Sequence, residues 1–222
     1  MLFRSRKTVS ARVLAHQPVD CELACPVTLA PGMPANERMD ALVEKATELG
    51  VAVIAPLVCE RSLLRVAGDR AERKAAHWQA IAVAACEQSG RNRVPLVVPP
   101  RTLRDWLADL PPPRPPELRL LLSLSPDAAP LARLLMDRPQ TAAHNAAVTV
   151  LSGPEGGLSP AEIALAESLG FVPVSLGDRV LRADTAPLAA LSVIAALSAV
   201  PSAPSAAGST PPPAPPTPDR MP

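Results

Sequence analysis

Short apolar runs alternate with segments of helical period along most of this 222-residue chain. From Asn36 onward, Met39, Leu42, Val43, Ala46 and Leu49 fall on one face of a helix, with Asn36 placed as its N-cap and Gly50 as its C-terminal stop. A strand is expected in VAVIAPLV (51–58), a long helix over 71–89, a strand in VPLVV (94–98) and a short helix in LRDWLADL. The second half continues with a strand in LRLLLSL (118–124), a helix in DAAPLARLLM and a strand in AVTVLS (147–152). It ends with a helix after Ser159, a strand in FVPVSLG (171–177) and a helix over 185–199. Near-continuous apolar strands alternating with helices predict an α/β fold whose parallel sheet is covered on both faces.

Residues 1–35 depart from this pattern. They hold short β-like pieces, TVSARVLA and CPVTLA, too few for an independent barrel or sandwich. PPPRPPE (111–117) reads as a linker, and 201–222, rich in Pro, Ala and Ser, as a disordered or loosely polyproline tail. LAALSVIAALSAV (188–200) is shorter than the ~20 residues that span a bilayer, so it is expected as a core helix, with no membrane partner.

Composition adds three constraints. With no Tyr, two Phe and two Trp the core must be aliphatic, and a stacking platform for bases is not expected. Lys and Arg exceed Asp and Glu by only one, which gives no global field for a polyanion but leaves a local basic patch open. The four cysteines lack a secreted-scaffold spacing, and MLFRSRKTVSARV lacks an apolar signal core, so a reducing cytoplasm is expected. His16, Cys21 and Cys25 are too irregularly spaced for a zinc site, and no metal is expected.

Candidate chemistry gathers in the loops that follow the later strands, the edge where parallel α/β sheets bind ligands. LSGPEGGLSP (151–160) is a strand-to-helix loop with three glycines, but it matches neither the dinucleotide nor the P-loop spacing, nor a nucleophile elbow. The next loop, LGDRVLRADTA, sets Arg179 and Arg182 beside a helix N-terminus, an anion-friendly corner. Here Thr185 could equally cap the helix, and Arg182 could pair with Asp184 or Glu155. Arg91 and Arg93, in EQSGRNRVP, follow a helix that ends at Gly90.

Taken in order, ERMDALVEKATELGV, EQSGRNRVP, LSGPEGGLSPAEI and LGDRVLRADTAPLAAL resemble the RsmE family of 16S ribosomal RNA methyltransferases, over roughly residues 27–198. The resemblance implies a SPOUT-type α/β fold, with a parallel sheet, helices on both faces and a C-terminal trefoil knot. It also implies a cytoplasmic homodimer that uses S-adenosyl-L-methionine to methylate N3 of a uridine in 16S rRNA of the small ribosomal subunit. The domains become a remnant of a PUA-like β domain (1–35), a SPOUT methyltransferase domain (36–200) and the tail.

By motif, the cofactor positions implied are Leu122 and Ser123, then Gly153, Pro154, Glu155, Gly156 and Gly157, then Leu176, Gly177, Val180 and Leu181. Arg182 is implied in placing an RNA phosphate or stabilising a uracil oxyanion, with Glu155 or Asp184 as proton acceptor; Arg91, Arg93 and Arg179 are implied in RNA binding. The family usually has Glu where Asp184 stands, one methylene longer. Its members also usually begin with a larger β-rich domain than the 35 residues here. That motivates one alternative, a non-catalytic knot module that binds cofactor or RNA; another, a methyltransferase for a different RNA such as tRNA, is less favoured because EQSGR and GPEGG match the rRNA family.

Overall fold

The computed structural model describes residues 3–4, 9–10, 12–16, 19–137 and 146–198. The Pro-rich tail and the expected end of the last helix lie outside them. In chain order the elements are β1 (Phe3–Arg4), β2 (Val9–Ser10), β3 (Val27–Pro31), α1 (Asn36–Glu48), β4 (Val53–Ile54), β5 (Leu57–Val58), α2 (Asp69–Ser89), β6 (Leu96–Val97) and β7 (Arg101–Thr102). There follow α3 (Leu103–Ala108), β8 (Leu118–Leu122), β9 (Ala129–Pro130), α4 (Leu131–Met136), β10 (Val148–Ser152), α5 (Pro160–Ser168), β11 (Val172–Ser175) and α6 (Thr185–Ser198).

Seven strands form one sheet in the order β6, β4, β3, β10, β8, β11, β9, and every pairing is parallel. The apolar runs explain why. Leu29, Leu120 and Val150 enter the core on one face, beneath α1, α2 and α6, while Ala30, Leu121 and Leu151 enter a second core with Leu103, Trp106 and Phe171 on the other. A strand buried on both faces cannot lie at a solvated edge, so β3, β10 and β8 occupy the interior of the sheet.

Three expectations change. Val27–Pro31, assigned above to the front remnant, is a central strand in register with Val148–Ser152, because its Val27, Leu29 and Ala30 are fully buried. The α/β unit therefore begins before residue 36. The strand expected over 51–58 is two: β4 stays in the main sheet, while β5 pairs with β7 in a separate two-stranded sheet. Pro56 stands between them and has no N–H to continue the ladder. Asn36 is not the N-cap of α1; the helix starts at Asn36, Ala35 takes the cap position, and the Ala35 N–H donates to the Glu155 carboxylate from a distant loop.

On the second face Arg119 is buried on β8. Its guanidinium donates to Glu117, to the Leu169 carbonyl and to the Pro111 carbonyl, and it lies 5.9 Å from the Phe171 ring centroid. Burial alone would raise the Glu117 carboxyl, but the Arg119 bond and the Arg114 N–H hold it below its usual range. This cluster ties the proline linker to the turn between α5 and β11.

Among the described glycines the tightest is Gly32, just after β3. Its N–H donates to the Ser152 carbonyl at 2.7 Å, and a Cβ there would lie 2.5 Å from both Cδ and N of Pro154. Gly32→Ala is expected to destabilise the chain by about 1–3 kcal/mol, the usual range for overpacking. Urea unfolding followed by circular dichroism measures it, and an unchanged midpoint would contradict the approach described.

Candidate functional site

Three loops leave the carboxyl ends of β8, β10 and β11, neighbours in the sheet, and meet around a cavity of about 740 Å³. From the first loop Leu122 and Ser123 line it; from the second, Gly153 to Gly157; from the third, Leu176, Gly177, Val180 and Leu181. All eleven positions assigned to a cofactor by motif thus lie on one concavity, a volume in the range of small-molecule sites. Leu158 and Ile163 add apolar wall.

The middle loop is held from both sides. Glu155 Oε1 accepts the Ala35 N–H at 3.2 Å and lies 3.7 Å from Arg38 Nη1. Behind the loop, Arg61 Nη1 donates to the Gly156 carbonyl at 3.3 Å. A Cβ on Gly156 would meet Arg61 Cβ at 2.9 Å and its carbonyl oxygen at 3.0 Å, so this glycine allows the packing of the 60–62 segment. Gly157 differs: its φ is +69° and nothing stands within 4 Å of a Cβ built on it. It needs glycine for its backbone, and a side chain there enters open space at the lip.

The helix after the loop is anchored where it begins. Ser159 caps α5 by accepting the Glu162 N–H, Glu162 returns a bond from the Ser159 N–H, and Pro160 takes the first helical position. The second Glu162 oxygen accepts the Glu60 N–H at 2.8 Å. Nearby Cys59 is buried and held as a thiol, pushed up to about 12 by desolvation first and by Glu162 second, so it offers no nucleophile at neutral pH.

The charged residues that line the cavity are Arg38, Arg179, Arg182 and Glu155. Arg182 also supplies the carbonyl that accepts the Thr185 and Ala186 N–H groups at the start of α6. Among the described residues no carboxylate pairs with the guanidinium of Arg179 or Arg182, which leaves aside the pairings with Asp184 and Glu155 considered above. Asp184 does not line the cavity, and its Oδ1 is buried without a hydrogen-bond partner. Ser152 Oγ, at the base of the middle loop, is the other buried side-chain oxygen without one among the described residues.

Arg91 and Arg93 lie elsewhere. The Arg91 side chain is only 4% exposed; it forms an ion pair with Glu22 through Nε and Nη2 and donates to the Thr47 carbonyl at 2.7 Å. It is used inward, and none of these contacts leaves it facing a phosphate. Arg93 is exposed and donates to Asp20 at 2.6 Å, while Asn92 donates to the Val19 carbonyl. The EQSGRNR segment thus straps residues 19–22 across the end of α2. Arg38 is the reverse case, a charged residue at the cavity with no role assigned from the sequence. Its signal was available only in retrospect, as a cation in the first turn of the helix that the glycine loop touches.

A model of the RNA methyltransferase domain matches residues 21–195. The chain is 38% identical over 169 residues to the ribosomal RNA small subunit methyltransferase E of Synechocystis, covering 76% of this chain and 52% of that protein. It therefore spans about half the length of that relative. The Bacillus subtilis protein of the same name is 30% identical over 192 residues, covering 84% of this chain and 72% of its own length. Among solved structures, ribosomal RNA small subunit methyltransferase E from Neisseria gonorrhoeae, bound to S-adenosyl methionine, is 35% identical with a TM-score of 0.70, over 82% of this chain and 70% of that one. A putative methyltransferase from Legionella pneumophila, in complex with SAM, is 34% identical with a TM-score of 0.75, over 86% of this chain and 74% of that one. With the domain model matching most of its length, and relatives 30% and 31% identical of which it covers 72% and 70%, the chain belongs to the ribosomal RNA small subunit methyltransferase E family.

Proposed function

We propose that this chain methylates N3 of a uridine in 16S rRNA of the small ribosomal subunit, using S-adenosylmethionine held in the cavity between the three loops. The observation that carries this reading is the convergence of all eleven motif positions on one cavity at the carboxyl edge of β8, β10 and β11. The cavity fits such a group. Its walls are mainly aliphatic residues and Gly, suited to a neutral adenine, and the Ser152 hydroxyl, unpartnered among the described residues, offers a buried polar contact at the base. Bound there, S-adenosylmethionine supplies a methyl group activated by its sulfonium.

The chain's own residues then orient the partners. Leu122, Leu176 and Leu181 would pack around the cofactor, and the backbone of Gly153 to Gly157 forms the lip, fixed by Gly32, Glu155 and Arg61. Fixed walls matter because alignment of donor and acceptor supplies much of the acceleration in such transfers. Arg182, with Arg179 beside it at the cavity, binds RNA phosphate or stabilises negative charge on the uracil oxygens as N3 loses its proton. An arginine stays protonated and cannot take that proton.

Of the two carboxylates, Glu155 already accepts the Ala35 N–H, whereas Asp184 has an oxygen with no partner. Asp184 does not line the cavity, however, so Glu155, through its second oxygen, is the better-placed acceptor, directly or through a water. Arg93 remains an exposed candidate for a phosphate contact, while Arg91 serves the strap at residues 19–22. The reading includes a trefoil knot formed by the C-terminal loops, a homodimer and a cytoplasmic site of action.

Two experiments test it. Small subunits lacking the modification, incubated with the chain and labelled cofactor, are expected to yield N3-methyluridine on nucleoside mass spectrometry; cofactor binding without transfer would favour a non-catalytic module instead. In the same assay Arg182→Ala is expected to slow transfer by about 10²-fold, the scale of losing one stabilising donor. Its effect on cofactor affinity should be much smaller, and equal losses would assign Arg182 to cofactor binding or folding. For the cavity itself, Gly157→Asn retains a residue tolerant of positive φ while placing a side chain at the lip. Calorimetry is expected to show about tenfold weaker cofactor binding, a loss of about 1.4 kcal/mol, with the unfolding midpoint held; undiminished affinity would move the cofactor elsewhere.

A further inference from the structure

Arg38 projects from the first turn of α1 into the lining of the cavity, with its side chain 39% exposed. Its nearest carboxylate oxygen, Glu155 Oε1, is 3.7 Å away, too far for a hydrogen bond, and that oxygen already accepts the Ala35 N–H. Among the described residues its guanidinium makes no hydrogen bond, so its donors are available to a ligand.

Which ligand follows from charge. Three guanidinium groups and one carboxylate line the cavity, a surplus of positive charge inside a chain that is nearly neutral overall. S-adenosylmethionine carries a sulfonium, an ammonium and a carboxylate, so it is itself a net cation. It adds to the surplus rather than neutralising it. An RNA phosphate supplies the missing negative charge, and guanidinium forks match phosphate oxygens geometrically.

We propose that Arg38 joins Arg179 and Arg182 in a phosphate-binding mouth on the cofactor cavity, and that RNA bound there raises the affinity for the cofactor. The inference rests on the methyltransferase reading above. The fixed arginines repel a cationic cofactor until a polyanion arrives, so the two ligands are linked, and linkage acts equally in both directions. S-adenosylhomocysteine has lost the sulfonium charge. Without RNA it should bind more tightly than S-adenosylmethionine, and RNA should narrow that difference.

The test is calorimetry on the full chain, titrating each cofactor form with and without a short single-stranded RNA oligonucleotide containing uridine. At low salt the RNA is expected to tighten S-adenosylmethionine binding at least about fivefold, the lower end of typical coupling, and added salt should erode the gain. Arg38→Ala is expected to remove most of the gain without weakening S-adenosylmethionine binding to the free chain, and Arg38→Lys to restore part of it. Equal weakening by Arg38→Ala with and without RNA would overturn the inference, by placing Arg38 on the cofactor carboxylate. An RNA effect that is absent or inverted in the unmodified chain would also overturn it while leaving the methyltransferase reading intact. No binding of either cofactor form would overturn both.

Discussion

The cleft depends on how closely the chain after β3 approaches the loop after β10. Gly32 has no room for a Cβ against Pro154, and its N–H holds the Ser152 carbonyl, so the two strand ends leave the sheet together. From that fixed start the loop is tied forward to α1 through Glu155 and backward to the 60–62 segment through Gly156. Each contact involves backbone on at least one side, which limits adjustment by side-chain rotation. A lip fixed in this way leaves little to be ordered when a ligand binds, and preorganisation of that kind lowers the cost of association.

The same tethers redistribute the roles of residues that look chemical in the sequence. Glu155, the one carboxylate of the glycine loop, spends an oxygen on the N-cap of a helix 120 positions away. Arg91 closes an ion pair across 69 positions. Asp184 stands off the cavity, with one oxygen buried and unpartnered among the described residues. Positive charge at the cavity comes instead from arginines on two different elements, α1 and the loop before α6, which explains how a chain with a net charge of +1 can still present a cationic mouth.

Much of the architecture is legible from period alone, since runs such as VTVLS and LRLLL put apolar residues on both faces and fit the inside of a covered parallel sheet. The edge that carries the site is legible too, because ligand loops follow the carboxyl ends of such strands. What period could not place was long-range pairing. CPVTLA looks like a short piece of a preceding domain until β10 is beside it, and Asn36 looks like a cap until Glu155 reaches Ala35. Arg38 escaped for a related reason: the helical pattern of α1 records which residues enter the core, and the residue that matters to the cavity is on the opposite account, polar and half exposed.

The placement of the cofactor is tested most directly by hydrogen exchange on the full chain with and without S-adenosylmethionine. Added protection is expected at the amides of the three cavity loops, 122–125, 153–158 and 176–183, and not in the EQSGRNR strap or around Arg119. Protection centred on the strap or on the second core, or none at all at saturating cofactor, would contradict a site built between β8, β10 and β11.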